Sequence, residues 1–69
     1  MKNNNQFFNQ SQKCHLRLIK KYKNSRKDSD WIKYQYHVIV FDKQRKLKRV
    51  LSDFEKQKEY DYCVRAFNS

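Results

Sequence analysis

Apolar and polar positions alternate along much of the chain. In residues 14–22, CHLRLIKKY, the positions Cys14, Leu16, Leu18 and Tyr22 share one parity, and His15, Arg17 and Lys21 the other. Such alternation predicts a half-buried strand. Residues 31–41, WIKYQYHVIVF, set Ile32, Tyr34, Tyr36, Val38 and Val40 against Trp31, Lys33, Gln35, His37, Ile39 and Phe41. This segment is rich in β-branched and aromatic residues, which favour a pleated surface, and predicts a second strand. Residues 47–51, LKRVL, predict a short third one. Near the C-terminus the period changes: Tyr60, Cys63, Val64 and Phe67 fall at i, i+3, i+4 and i+7, a single helical stripe. Ser52 or Asp53 is placed to cap that helix, predicted over 54–67, with Glu55 and Lys56 in its first turn. Phe54 lies off the stripe and is expected to plug the corner before it.

Polar stretches separate these elements. Residues 1–12, MKNNNQFFNQSQ, read as a tail without regular structure when alone, with Phe7 and Phe8 as its only anchors. Residues 23–30 form a loop, and Asp42 to Lys46 a basic hairpin turn. The expected architecture is α+β: a polar tail over 1–12, then one small β-β-β-α domain over 13–69. Its three-stranded antiparallel sheet carries one C-terminal helix. Glycine and proline are absent, so any turn needing positive φ must use Asn, Asp or Lys at some steric cost.

Charge sharpens the picture. The chain of 69 residues carries a net charge of +10. Between Lys13 and Arg49 stand thirteen bases and three acids, so that segment holds the whole excess. Such a field suits a polyanion, and at a nucleic acid it is rewarded by counterion release. No apolar run approaches the roughly 20 residues needed to span a bilayer, so no membrane partner is expected. The first five residues have no apolar core and do not read as a secretory signal. Two cysteines are too few for a disulfide framework, which points to an intracellular, reducing compartment with free thiols.

Candidate chemistry is sparse. Cys14 and His15 are neighbours, and on a strand neighbours face opposite ways, so they make no nucleophilic pair. A zinc site from Cys14, His15, His37 and Cys63 lacks the close paired spacing of structural zinc sites. Asp53, Glu55, Glu59 and Asp61 suit the solvated face and first turn of the helix. No catalytic residues, metal or cofactor are expected, and the chain does not read as an enzyme.

The stronger pattern interleaves bases with aromatics. Lys13, Arg17, Lys20, Lys21, Lys23, Arg26, Lys27, Lys33, Lys43, Arg45, Lys46, Lys48 and Arg49 are the candidate phosphate contacts. Tyr22 and Trp31, at strand ends beside basic loops, are the candidates for stacking on unpaired bases. Tyr34 and Tyr36 suit the core better.

Three resemblances run through these residues. Lys33-Tyr34-Gln35-Tyr36-His37-Val38-Ile39-Val40-Phe41-Asp42-Lys43, with Leu16 to Lys21 before it, resembles the central strands of the eukaryotic large-subunit ribosomal protein L-thirty-eight family. The match covers under half the chain and lacks that family's N-terminal helix. Leu16-Arg17-Leu18 with Tyr36-His37-Val38-Ile39-Val40 and Asp42 is similar to the bacterial and organellar small-subunit protein S-sixteen, without its glycine turn. Trp31, a basic hairpin, then Phe54 and Glu59 are similar to AP2-like and integrase arm-binding domains, which read DNA with a sheet. All three imply nucleic-acid binding.

The expected function is that of a structural ribosomal protein binding rRNA through a basic sheet and loops, beside neighbouring ribosomal proteins. The expected place is the cytoplasmic ribosome, with an organellar ribosome as a variant. Two alternatives stand: a sequence-reading DNA-binding domain of the AP2 or integrase-arm type, and a small phage inhibitor docking on a nucleoprotein complex.

Overall fold

A computed structural model describes residues 2–68, with side chains placed from Gln6 to Asn68. Three α-helices make up the fold: α1 (Lys2–Lys23), α2 (Asp28–Leu47) and α3 (Asp53–Asn68). No strand occurs among the described residues. The expected α+β sheet is therefore overturned. Residues 14–22 lie in α1, residues 31–41 in α2, and of residues 47–51 Leu47 ends α2 and the rest form the turn leaving it. The residues expected as a hairpin turn, Asp42 to Lys46, are the last turns of α2. The expected tail is helical from Lys2 on, while Met1 lies outside the described residues.

The physical reason lies in what covers α2. It is the central helix, with α1 and α3 each packed against it and not against each other's backbones. A helix covered on two sides needs apolar residues around most of its circumference. Residues 34–39 are accordingly all partly buried, and Val40 is fully buried. Such a run reads as alternation when inspected for period two. Its length of 20 residues suits a helix rather than a strand.

In α1 the inward stripe is Phe8, Ser11, Gln12, His15, Leu18, Ile19 and Tyr22, each buried or partly buried. Its spacing is helical, but three members are polar, so it leaves a weak apolar signature. Those polar groups have partners. Gln44 of α2 is fully buried and donates to Gln12 Oε1 at 2.7 Å and to Ser11 Oγ at 3.2 Å. Its own Oε1 accepts the Leu51 backbone N–H at 3.0 Å. Gln12 in turn donates to the Phe41 carbonyl at 3.2 Å. One glutamine thus joins α1, α2 and the α2–α3 turn, and no buried side-chain polar atom among the described residues lacks a partner.

Lys48 ends α2 in the left-handed region, φ 58° and ψ 36°, donating its N–H to the Gln44 carbonyl at 2.7 Å. Glycine is the usual residue at such an end. A chain without glycine accepts a penalty of roughly 1–2 kcal/mol there. Helix α3 opens with a capping box, where the Glu55 N–H donates to Ser52 Oγ at 3.2 Å and the Ser52 N–H to Glu55 Oε1 at 2.8 Å. Its stripe seats Cys63, 2% exposed, in the core. Phe54, expected to plug a corner, is instead 72% exposed.

Candidate nucleic-acid interface

Helical geometry sorts the bases of α1. Gln6, Asn9, Gln10, Lys13, Arg17, Lys20 and Asn24 recur at i+3 and i+4, opposite His15, and all are exposed. Lys13, Arg17 and Lys20 thus form one outward row, roughly 10 Å long at 1.5 Å per residue. Lys21 and Lys23 flank its end, and Arg26 and Lys27 extend it along the α1–α2 loop.

Pairing divides the sequence-derived candidates into two groups. At the far end of α2, Arg45 reaches Asp42 at 2.8 Å and Lys46 reaches Asp42 at 3.1 Å. Lys43 pairs with Glu59 of α3. Arg49 grips Glu55 with both terminal nitrogens, at 2.9 and 2.8 Å, and holds its carboxyl down at about 2. The same kind of pairing lowers Asp42, chiefly through the Arg45 hydrogen bond. Lys33 sits 3.9 Å from Asp30. By contrast, among the described residues Lys13, Arg17, Lys20, Lys21, Lys23, Arg26, Lys27 and Lys48 have no carboxylate within ion-pair distance. Seven of these eight unpaired bases lie on the second half of α1 and the loop after it, and Lys48 stands at the end of α2.

The two aromatic candidates also part ways. Tyr22 is engaged internally. It stacks on His37 with ring centroids 6.2 Å apart and planes 8° from parallel, and the ammonium groups of Lys21 and Lys33 lie 5.7 and 5.6 Å from its centroid. Trp31 stays 41% exposed, supported by Phe67 at a centroid distance of 5.4 Å. It faces a cleft that also includes Arg26 and Lys27.

No known protein family, curated protein or solved structure matches this chain.

One relationship had no counterpart in the sequence pattern. His15 and His37 meet across the α1–α2 interface, Nδ1 to Nδ1, at 2.9 Å. One ring donates and the other accepts, which fixes opposite tautomers. Burial, His15 and Lys33 push His37 down to about 4, and burial with Lys56 lowers His15. Neither cysteine joins them: Cys14 is exposed, Cys63 is buried by itself, and no group of three metal-ligating residues occurs among the described residues. Burial, then Glu59, raises the Cys63 thiol. Burial, Asp53 and Cys63 raise Tyr36, which packs edge-on against Tyr60 at 5.6 Å. No helix of the described residues is long and apolar enough to cross a membrane.

Proposed function

We propose that this chain is a structural RNA-binding protein that fills a niche in a ribonucleoprotein, the ribosome foremost, beside neighbouring ribosomal proteins. The observation that carries the reading is the asymmetry of pairing. Seven bases from Lys13 to Lys27 project from one side and one end of the fold with no acid within ion-pair distance among the described residues. Crowded rRNA phosphates supply the missing countercharge, and release of their counterions supplies the free energy. The polar residues Gln6, Asn9 and Gln10 continue the same face of α1 and offer neutral hydrogen-bonding groups to the backbone. The α1–α2 packing holds the row rigid, so few backbone degrees of freedom are lost on binding. Reading duplex DNA with a sheet has no strand to rest on among the described residues.

Two measurements test the proposal. Sucrose-gradient fractionation of native cells is expected to place the chain with ribosomal particles through moderate salt. Residence at the top of the gradient, or with one large protein partner, removes the ribosomal assignment. Binding to a short RNA is expected to weaken linearly in log Kd against log salt, and a flat line removes RNA binding itself.

A further inference from the structure

The cleft beside Trp31 has a composition that phosphate neutralisation alone does not explain. It lies between the α1–α2 loop, Trp31 and the end of α3 at Ala66 and Phe67, and encloses about 400 Å³. Trp31 and Phe67 stand 41% and 37% exposed. Their planes meet at 41°, so Phe67 props the indole and leaves much of it open to solvent. Arg26 and Lys27 are among its lining residues. Asp28 shares the cleft and sits three residues before Trp31, on the same side of α2.

That aspartate is the informative residue. Asp30 accepts from Ser25 at 2.7 Å and pairs with Lys33, whereas the Asp28 carboxylate has neither hydrogen-bond nor ion-pair partner among the described residues. A carboxylate beside an open aromatic ring, rimmed by two bases, matches a flat ligand that has hydrogen-bond donors on one edge and an anion at the other. Nucleobases differ on this point. Guanine presents two adjacent N–H donors on its Watson–Crick edge, N1–H and the N2 amino group, which fit the two oxygens of a carboxylate. Adenine and cytosine set one amino donor beside a ring acceptor, and uracil sets its single N–H between two acceptors. A lone carboxylate repels those acceptors.

We propose that this cleft holds one unpaired guanine of a single-stranded RNA, stacked on Trp31, with N1–H and N2–H donating to Asp28 and its phosphate against Arg26 and Lys27. The inference rests on the RNA-binding reading above and adds base identity to it. Unpaired bases splayed onto aromatic side chains and read on their Watson–Crick edges are the usual route to sequence-dependent RNA binding.

Trp31 is the only tryptophan, so its emission reports on the cleft directly. The test titrates the full chain with labelled uridine-rich strands carrying one central guanosine or one central adenosine, following label anisotropy and Trp31 emission together. The expected result is quenching of Trp31 by the guanosine strand and an affinity about tenfold higher than for the adenosine strand, within the range of a bidentate side chain–base pair. Asp28→Asn, checked for unchanged helicity, is expected to erase the preference while keeping the anisotropy change. Equal affinity for the two strands, or binding with Trp31 emission unmoved, overturns the guanine site while RNA binding stands. No anisotropy change with any strand overturns both. Saturation by guanosine monophosphate at the strand's own affinity assigns the cleft to a free nucleotide and overturns the strand assignment.

Discussion

His15 and His37 touch through their Nδ1 atoms, 2.9 Å apart, at the middle of the α1–α2 interface. The contact requires at least one neutral ring, and the ammonium groups of Lys33 and Lys56 add to the cost of charging either. The fold therefore holds His37 neutral, with its ionisation moved from 6.5 to about 4. Stability from this source is complete above pH 6.5 and is lost progressively as pH falls toward about 4. The loss between pH 7.5 and 4 is expected to be on the order of 2 kcal/mol, allowing for screening at a half-buried site. Urea midpoints across that range check it. His37→Phe should flatten the profile, and an unchanged profile would show that the pair does not govern acid sensitivity.

Gln44 is the polar tie of the core. Gln44→Met keeps most of the volume and strands the Leu51 N–H and the Gln12 side chain that it now satisfies. Leaving buried donors and acceptors unmatched is costly, and a loss of about 2–4 kcal/mol is expected in urea unfolding. A change below about 1 kcal/mol, the size of a single net hydrogen bond, would mean that water replaces the glutamine.

Lys48 is the one described residue with positive φ, at 58°. Lys48→Gly relieves the Cβ clash there and is expected to stabilise the fold by about 0.5–1 kcal/mol, the left-handed penalty less the greater freedom of glycine in the unfolded chain. Thermal unfolding followed by circular dichroism measures it. A destabilised variant would show that the lysine side chain makes a compensating contact.

The two groups of bases separate local from bulk electrostatics. Replacing Lys13, Arg17, Lys20 and Lys21 by glutamine removes the same charge as replacing Lys43, Arg45, Lys46 and Arg49. The first set is expected to lower the salt slope of RNA binding by about 3, at about 0.7 for each phosphate no longer neutralised. The second set should do much less, because Asp42, Glu55 and Glu59 already offset three of those four charges. Equal effects would reduce the interface to net charge alone.

These residues also show what was legible beforehand. Helix α3 was, because Tyr60, Cys63, Val64 and Phe67 keep a clean helical period and Ser52 with Glu55 marks the start. Helix α1 was not, because Ser11, Gln12 and His15 occupy its inward stripe and their burial depends on Gln44 and His37, over twenty residues away. Helix α2 misled because coverage from two sides spreads apolar residues around it until they mimic alternation. The concentration of bases was visible in the sequence. Their division into paired and unpaired groups was not, since Glu59 neutralises Lys43 from another helix.

Trp31 near the start of α2 and Phe67 near the end of α3 close one end of the α2–α3 interface, the end away from the turn that joins the two helices. A molecule lying on both rings would act as a clasp, favouring the closed arrangement by its own binding free energy. Fraying of α3 at Phe67 and occupancy of the cleft would then be opposing sides of one equilibrium, with the Phe67 ring as the latch.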